Sequence, residues 1–348
     1  MRALTVIPGK AGTARLDEIA APPADAQQLT LQSVAVGVCG TDAEIVAGDY
    51  GWSPAGRERL VLGHECVARV MRDGADFKRG DLVVPIVRRP DPVPCACCAA
   101  GEWDMCRNGQ YTEHGIKQLD GFCAEQFNAD PGALVRVPAG LGPLAVLVEP
   151  ASVVAKAWEH IERIGRRAYW APRRVLVTGA GSVGLLAALL GQQRGLDVIL
   201  FDRATTGLKP ELAHALGAEY ASGDLAALLA DKPPDIVLEC TGATPVVVEV
   251  MKSNAPGCVT CLVGVSAIGR SASLDVGALN RAIVLENDVV FGSVNANRRH
   301  YELAVEALSR ADPAWLSALI TRRVPLDRWG DALQRTADDV KVVIELSA

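Results

Sequence analysis

The sequence predicts an α/β fold that combines a doubly wound parallel sheet with a β-rich domain. Residues 174–202 are typical of a strand, a glycine turn, a helix and a second strand, and from about residue 151 helical and buried-strand segments alternate. Residues 1–149 consist of short apolar runs broken by Gly, Pro and Asp, which is typical of antiparallel strands. With 348 residues, the chain is long enough for two domains, each with its own core.

The first predicted domain covers residues 1–150. It begins directly with a strand-like segment at residues 1–6, and further apolar runs follow at residues 29–37, 61–72 and 81–87. Because turn-forming residues separate these runs, we expect an antiparallel, β-rich domain.

The second predicted domain covers residues 151–295 and alternates strands with helices. Strands are expected at residues 175–178, 235–240, 258–264 and 289–293, and helices at residues 185–193 and 244–253. Residues 296–348, with a helix near residues 301–309 and a terminal strand at residues 342–346, are expected to return to the first domain.

A glycine turn joins the strand at residues 175–178 to the helix that follows it. Its sequence is Gly179-Ala180-Gly181-Ser182-Val183-Gly184. Gly179 permits the tight turn, Gly181 lets the backbone approach a pyrophosphate, and Gly184 allows close packing of helix on strand. The phosphates would face the helix N-terminus, next to Ser182 and Val183. An ordinary βα turn is the alternative, but the flanking strands and an acid 18 residues after Gly184 favour a dinucleotide site.

That acid, Asp202, favours NAD. Its carboxylate can accept hydrogen bonds from the ribose hydroxyls and would repel a 2′-phosphate. Arg203 and Lys209 keep NADP open, because a guanidinium beside the acid can pair with a 2′-phosphate or stack on adenine. Both cations also have a simpler interpretation as solvated loop charges.

Composition limits the partners that we expect. Hydrophobic residues make up 49% of the chain, the net charge is −6, and neither a membrane-length apolar run nor a basic block is present. We therefore expect a small-molecule partner and neither a membrane nor a nucleic acid. Ten cysteines without an N-terminal signal pattern indicate reduced thiols or metal ligands in a cytoplasm.

Three separated segments of the β-rich half carry side chains that suit a metal ion. Cys39 lies in GVCGTD (37–42), His64 and Glu65 in GHE (63–65), and Glu149 precedes Pro150. Zinc accepts such a mixed set of donors, and three protein ligands leave a fourth position open. Each residue alone has a simpler interpretation, because Cys39 can be a buried thiol, His64 a core histidine and Glu149 a helix N-terminal acid.

Together with the glycine turn, these motifs resemble the zinc-dependent medium-chain dehydrogenase/reductase superfamily over essentially the whole chain. Longer strings are similar to its glucose 1-dehydrogenase branch, namely VRRP (87–90), GEWDMC (101–106), YTEHGI (111–116) and FGSVN (291–295). The resemblance implies a GroES-like catalytic domain at residues 1–150 and a Rossmann domain at residues 151–295. It also implies a homo-oligomer, either a dimer or a tetramer.

The resemblance further implies roles for the metal residues. Cys39, His64 and Glu149 would hold a catalytic zinc, with Glu149 also bordering the substrate and Glu65 as a nearby or alternating ligand. Thr41 would be the first hydroxyl of a proton relay, and the alternative is a local backbone hydrogen bond in a turn.

Other residues would contact the substrate and the cofactor. Glu113 would accept a hydrogen bond from a sugar hydroxyl, and Asn295 would contact nicotinamide and sugar. Thr241, Gly264 and Val265 would line the cofactor site.

A second metal site is expected between these segments. The family's lobe zinc uses four cysteines, and Cys95, Cys98 and Cys106 fit the last three positions, whereas the first position holds Pro92. Proline offers no side-chain ligand, so Asp91 or Cys97 would have to complete the site. The alternative is a metal-free loop of free thiols.

The implied reaction is oxidation of the C1 hydroxyl of an aldose, D-glucose, to gluconolactone. Zinc would lower the pKa of the bound hydroxyl and nicotinamide would accept the hydride. An additional ionised Glu65 would weaken the metal's attraction for substrate oxygen, which favours a place for Glu65 outside the coordination shell during hydride transfer.

Other functions remain open from the sequence. A polyol such as an inositol or sorbitol, or an aminocyclitol, could use the same machinery. A zinc-free quinone or enone reductase, or a protein that only retains the cofactor fold, are further alternatives.

Overall fold

The computed structural model describes residues 1–252, 254–267 and 269–346. The chain divides into two compact units, Met1–Ser152 with Asn295–Ala348, and Val153–Val294. The first boundary lies two residues after the one that the sequence suggested at residue 150, and the second lies one residue before the one suggested at residue 295.

The strands are, in chain order, β1 (Arg2–Val6), β2 (Arg15–Glu18), β3 (Leu29–Val38), β4 (Leu60–Val61), β5 (Glu65–Val70), β6 (Leu82–Pro85), β7 (Arg88–Arg89), β8 (Thr112–His114), β9 (Gln118–Leu119), β10 (Gln126–Ala129), β11 (Leu134–Arg136), β12 (Arg174–Thr178), β13 (Asp197–Phe201), β14 (Glu219–Ala221), β15 (Ile236–Glu239), β16 (Val259–Leu262), β17 (Val289–Gly292), β18 (Ile320–Pro325) and β19 (Lys341–Glu345).

The α-helices are α1 (Gly40–Ala47), α2 (Ala96–Ala99), α3 (Val148–Gly165), α4 (Ser182–Gln192), α5 (Leu208–Ala215), α6 (Leu225–Asp231), α7 (Thr244–Val250), α8 (Val276–Glu286), α9 (Arg298–Ser309), α10 (Pro313–Leu319) and α11 (Trp329–Leu333). In the described part of the chain, none of these helices combines the length and the apolar character that crossing a bilayer requires.

The largest sheet of the first unit is built around β3. The strand order is β11-β6-β5-β3-β19-β18, and β10 also pairs with β3. Because β3 pairs antiparallel with both β5 and β19, the strand that leads to Cys39 lies between the strands that begin with Glu65 and Lys341. Buried side chains such as Leu31, Val36 and Ile344 form the core beneath it.

The second unit contains a six-stranded parallel sheet in the order β14-β13-β12-β15-β16-β17. Numbered within the unit, this order is 3-2-1-4-5-6, the doubly wound arrangement in which ligands bind where the strand order reverses. The parallel sheet that the sequence predicts is therefore present, and the glycine turn follows β12, the strand at that reversal.

The element boundaries differ from the predictions in informative ways. The apolar run at residues 61–72 forms two strands, because Gly63 adopts a φ of +89° and the chain turns at His64. The helix predicted at residues 244–253 ends at Val250, and its predicted last residue, Ser253, lies outside the described residues. Strand β18, which runs parallel to β19, was not predicted.

Candidate active site

Three of the predicted zinc residues, Cys39, His64 and Glu65, lie together in the first unit. Cys39 immediately precedes α1, His64 lies in the turn between β4 and β5, and Glu65 begins β5. The pairing of β3 with β5 places Gly37 opposite Glu65, so the end of one strand meets the start of the other. One ligand atom from each of the three residues lies within 4.8 Å of the others.

Asp42 supports this cluster, although sequence reasoning assigned it no role. Its Oδ2 accepts the Cys39 N–H at 2.9 Å, and its Oδ1 lies 3.4 Å from His64 Nδ1. Burial opposes a charge on His64, but Asp42 and then Cys39 raise the pKa of His64 well above its ordinary value. With Nδ1 facing a carboxylate, Nε2 is the nitrogen left for a metal. The available signal was an acid three residues after Cys39, a helix-capping position.

Glu149 lies in the first turn of α3 and is buried. Among the described residues, it is not part of the group whose ligand atoms lie within 4.8 Å of one another. Burial raises the pKa of Glu149 to about 7, His64 and Lys341 oppose this rise, and Glu65 adds to it. The charges of the cluster therefore influence the pKa of Glu149, and its role as a ligand stays a prediction.

Lys341 is a buried residue of the site that sequence reasoning missed. Its Nζ lies 2.7 Å and 2.6 Å from the two carboxylate oxygens of Glu65. Burial lowers the pKa of Lys341, but Glu65, followed by Cys39, raises it above its ordinary value, so the ammonium stays charged. The signal was a lysine directly before the three apolar residues, 342–344, of the terminal strand.

Thr41 borders the metal cluster. Its side chain is half-buried, and its Oγ1 lies 4.0 Å from Cys39 Sγ. The predicted relay hydroxyl is therefore next to a predicted ligand, and the relay itself stays a prediction.

The predicted substrate residues Glu113 and Asn295 lie together in the first unit. Glu113 Oε1 accepts hydrogen bonds from Arg88 Nε at 2.9 Å and from Asn295 Nδ2 at 2.7 Å. The Arg88 guanidinium also lies 3.7 Å from the centre of the Tyr111 ring. The sequence singled out Arg88 only as part of the VRRP motif, because no local spacing relates it to its partner Glu113, which lies 25 residues away.

The glycine turn has the backbone geometry that the sequence predicts. Gly179 adopts a φ of +92°, and a Cβ on Gly184 would overlap the Gly179 carbonyl oxygen. Apart from the two chain neighbours of Gly181, no atom of the described residues lies within 4 Å of the position that a Cβ would take there. Helix α4 begins at Ser182, so the N–H groups of Ser182 and Val183 have no partner within the helix.

Asp202 follows β13 and is tied to the backbone. Its Oδ2 accepts the Ala180 N–H at 2.7 Å, and its Oδ1 accepts the Ala204 N–H at 3.0 Å. Lys209 Nζ lies 4.0 Å from Oδ1, and Arg203 is exposed. Asp202 therefore holds the glycine turn in place, and its contact with a ribose stays a prediction.

Thr241 and Gly264 follow the carboxyl ends of β15 and β16, at the sheet edge that also carries the glycine turn. The fully buried carboxylate of Glu239, another residue that sequence reasoning missed, accepts the Thr241 N–H at 2.7 Å. The Gly264 N–H donates to the Glu239 carbonyl oxygen at 2.9 Å. Val265 is 78% exposed. Glu239 thus fixes the loops in which the remaining predicted cofactor residues lie.

The lobe cysteines Cys95, Cys98 and Cys106 form a second cluster, with one sulfur from each within 4.8 Å of the others. Asp91 is 3% exposed, and its Oδ2 lies 3.9 Å from Cys106 Sγ. In the described chain, Cys97 is not a member of this group. Asp91 is not a member of this group either, so its 3.9 Å contact with Cys106 is what favours it, and the fourth ligand stays a prediction.

Cys95 has the environment of a thiolate. The Arg107 N–H donates to its sulfur at 3.4 Å, and this bond, with further backbone bonds around Cys98, lowers the pKa of Cys95 to about 6. Burial raises the pKa of Cys98 to about 11. A metal bound here would have to deprotonate Cys98.

Comparison with known proteins gives the class of the protein first. The family model described as alcohol dehydrogenase GroES-like domain matches residues 25–139, and the one described as glucose dehydrogenase C-terminus matches residues 142–346. With the doubly wound sheet, these matches identify a medium-chain dehydrogenase fold, which confirms the predicted fold class.

Relatives that match the whole chain show which family of medium-chain dehydrogenases it resembles. Glucose 1-dehydrogenase of Methanocella arvoryzae is 37% identical and covers 100% of both chains, and glucose 1-dehydrogenase 2 of Vulcanisaeta moutnovskia is 41% identical and covers 99% of both. The structure of Haloferax mediterranei glucose dehydrogenase in complex with NADP, Zn and gluconolactone matches with a TM-score of 0.92, 30% identity and 100% coverage of both chains. The chain belongs to the glucose 1-dehydrogenase family, and the resemblance seen in its motifs is confirmed.

Proposed function

We propose that this chain is a zinc-dependent oxidoreductase that oxidises the C1 hydroxyl of D-glucose to gluconolactone with NAD or NADP. The observation that carries the proposal is the convergence of Cys39, His64 and Glu65 in a chain whose other unit has an open glycine turn. Full-length relatives named glucose 1-dehydrogenase, and a relative solved with NADP, Zn and gluconolactone, support the substrate and the cofactors.

The residues of the cluster fit zinc. A thiolate, an imidazole and a carboxylate are the donors that zinc accepts, and the contact of Asp42 with His64 Nδ1 suits a metal-binding histidine. We assign Cys39, His64 and Glu149 as ligands, with Glu65, the carboxylate that lies with Cys39 and His64, as a nearby or alternating ligand. When bound, zinc supplies Lewis acidity that lowers the pKa of a hydroxyl, and nicotinamide supplies a hydride acceptor.

The chain's own residues orient the sugar and move its proton. The Thr41 hydroxyl, next to Cys39, is placed to be the first member of a proton relay, which accepts the proton that the sugar hydroxyl loses and passes its own proton on to water. Arg88 and Asn295 both bind Oε1 of Glu113, which leaves Oε2 to accept a hydrogen bond from a second sugar hydroxyl.

The experiment is a comparison of initial rates of nicotinamide reduction by the zinc-loaded protein. NAD and NADP are each tested with glucose, galactose, xylose, sorbitol and myo-inositol. Glucose well ahead of the other substrates supports the proposal. Turnover of a polyol without turnover of any aldose would replace the substrate and keep the metal site, because pocket shape decides which hydroxyl is presented.

The cofactor preference depends on Asp202 and its neighbours. Asp202 favours NAD through repulsion of a 2′-phosphate, while Arg203 and Lys209 offer cations to one. The ratio of rates with NAD and NADP in the same assay weighs these charges against each other.

We also propose a structural zinc held by Cys95, Cys98, Cys106 and Asp91. The buried Asp91 carboxylate, 3.9 Å from Cys106 Sγ, supplies the ligand that Pro92 does not. Metal analysis should give two zinc ions per chain in the purified protein and one in Asp91→Ala. Two zinc ions in that variant would exclude Asp91.

A homo-oligomer, either a dimer or a tetramer, is part of the proposal. Helix α8 has no buried residue, and its side chains Val276, Val284 and Leu285 are 60–67% exposed just before the edge strand β17. A second copy would cover this apolar surface. Light scattering should give at least twice the 36.7 kDa chain mass, and the double substitution Val284→Glu with Leu285→Glu should lower it.

The ten free thiols agree with a cytoplasmic location.

A further inference from the structure

Two aromatic side chains of the first unit lie exposed in the segment that follows α1. Tyr50 is 41% and Trp52 47% exposed. Their ring centroids lie 5.0 Å apart with an interplanar angle of 73°, which is an edge-to-face contact. We call these two side chains the aromatic pair. The rings pack on each other while much of their surface stays in water, so they form a small accessible apolar surface.

The backbone fixes the position of the aromatic pair. Gly51, between the two residues, has a φ of +96°, and a Cβ there would lie 3.1 Å from Cγ1 of the buried Ile45. The Trp52 N–H donates to the Ile116 carbonyl oxygen at 2.9 Å, and the Trp52 carbonyl oxygen accepts the Gln118 N–H at 3.0 Å. The pair is therefore held on a turn that packs against α1 and on the segment that follows β8.

This segment connects the aromatic pair to the predicted substrate residue Glu113. Glu113 and Lys117 exchange two backbone hydrogen bonds, each of 2.8 Å, and Trp52 pairs with Lys117 from the opposite side. Two such spacings between neighbouring segments put the backbones of Glu113 and Trp52 roughly 10 Å apart. Burial, followed by the negative charge of Glu113, raises the pKa of Tyr50, so the Tyr50 hydroxyl lies within electrostatic reach of Glu113.

The rings of the aromatic pair differ from the neighbouring ring of Tyr111. The Arg88 guanidinium lies 3.7 Å and Lys117 Nζ 4.1 Å from the centre of the Tyr111 ring. Among the described residues, no cation lies over Tyr50 or Trp52. An edge-to-face contact covers a face of only one ring, so the aromatic pair keeps ring surface for a ligand, whereas cations already occupy Tyr111.

The chemistry of this surface suits a sugar ring. A pyranose presents C–H groups on its faces and hydroxyls at its rim, so it packs on an aromatic ring while its hydroxyls bind polar groups. Oε1 of Glu113 accepts hydrogen bonds from Arg88 and Asn295, and Oε2 is left for a hydroxyl of the first sugar ring. The backbone distance from Glu113 to the aromatic pair exceeds the width of one pyranose, which places the pair beside a second ring joined to the first.

The direction of α1 indicates where the second ring is joined. Cys39 immediately precedes α1, and Gly51 packs on Ile45 in the second turn of that helix. At 1.5 Å per helical residue, the aromatic pair lies roughly 9 Å along the helix from the metal cluster. C4 lies across a pyranose ring from C1, so a sugar with its C1 hydroxyl at the metal directs a substituent on O4 away from the metal.

On the basis of the proposed function, we propose that the aromatic pair is a subsite for the second ring of a disaccharide, whose free reducing-end glucose is substituted at O4. The reaction is that of glucose. The hydrogen on C1 leaves as a hydride to NAD(P)⁺, the C1 hydroxyl loses its proton through the relay, and the C1–O bond becomes the lactone carbonyl. The glycosidic bond stays intact, and the products are a disaccharide lactone, NAD(P)H and a proton.

Calorimetry of the zinc-loaded protein without nicotinamide tests the subsite. Glucose is compared with cellobiose and maltose, because both disaccharides have a free reducing-end glucose substituted at O4. We expect at least one disaccharide to bind about tenfold more tightly than glucose, the effect of one well-packed aromatic contact. Trp52→Ala should bring the Kd of that disaccharide to the Kd of glucose, and Trp52→Phe, which keeps a ring, should retain most of the difference.

Steady-state turnover gives a second measurement on the same variants. In Trp52→Ala the KM of the disaccharide should rise about tenfold while its kcat is unchanged, because the lost contact lies far from C1. Tyr169→Ala is the matched control, since it removes an aromatic side chain that is 97% exposed in the second unit. It should alter neither disaccharide nor glucose kinetics.

The proposal is overturned if neither disaccharide binds more tightly than glucose to the wild-type protein, or if the difference survives in Trp52→Ala. An equal loss of affinity for all three sugars in Trp52→Ala also overturns it. So does a lower mass of Trp52→Ala in light scattering, which would assign the aromatic pair to a contact between copies of the chain. Absent turnover of glucose would instead refute the proposed function, and the binding comparison would still decide the subsite.

Discussion

At the scale of single residues, charged side chains contact the members of the metal cluster. Asp42 joins the Cys39 backbone to the His64 ring, and Lys341 neutralises Glu65. Each contact fixes the direction of a donor atom before a metal arrives. We therefore expect substitutions at these supporting positions to change metal affinity.

The first prediction concerns Asp42→Asn. Loss of the carboxylate facing His64 Nδ1 removes the group that orients the ring, and we expect zinc affinity to fall about 10–100-fold. Chelator competition measures the change. Glu44→Gln, an exposed position on the same helix, is the matched control and should bind zinc as the wild type does. Equal affinities in both variants would contradict this role.

The second prediction concerns pH and His114. Burial, followed by the charge of Arg89, lowers the pKa of His114 to about 3, while Nδ1 hydrogen-bonds the Asp120 carbonyl at 2.6 Å. The unfolded chain binds this proton near pH 6.5 and the folded chain does not. The stability contributed by neutral His114 is therefore complete above pH 6.5 and is lost as the pH falls towards 3.

Chemical denaturation between pH 7 and pH 5 tests this sign. Wild-type protein should lose up to about 1.4 kcal/mol per pH unit more unfolding free energy than His114→Asn, which retains a donor for the Asp120 carbonyl. Parallel pH curves for the two proteins would rule out His114 as the titrating group.

At the scale of elements, local patterns predicted the glycine turn and the longer apolar strands, but they did not predict β18, shorter strands such as β2 and β14, or the long-range contacts. Gly179 and Gly184 were predicted because their roles are set within six residues of chain. Lys341 and Glu65 are 276 residues apart in sequence, so no local spacing could pair them. Cys39 and His64 were proposed as ligands of one metal only because their motifs occur in the order typical of the family, since their spacing in the sequence does not indicate a shared site.

The glycine turn yields a matched pair of substitutions. Gly184→Ala would overlap the Gly179 carbonyl oxygen and should lower the melting temperature. Gly181→Ala meets open space in the protein, so the melting temperature should stay within about 1 °C of the wild type, while the new methyl group blocks a pyrophosphate. We expect Gly181→Ala to weaken NAD(P)H binding about tenfold or more, as measured by fluorescence titration. Normal cofactor affinity in Gly181→Ala would place the phosphates elsewhere.

At the scale of the whole molecule, the two units contain different groups of predicted site residues. The first unit contains Cys39, His64, Glu65 and the substrate residues, and the second contains the glycine turn on its parallel sheet. Each unit has its own buried core, so damage to one chemical group need not disturb the other unit.

The roles of metal and cofactor are separated by Cys39→Ser, assayed for glucose-dependent NAD(P)H formation and for cofactor binding in the same preparation. We expect turnover to be lost, because the metal loses its thiolate ligand, while the cofactor Kd stays within about twofold of the wild type. Retained turnover, or loss of cofactor binding together with turnover in a folded protein, would contradict it.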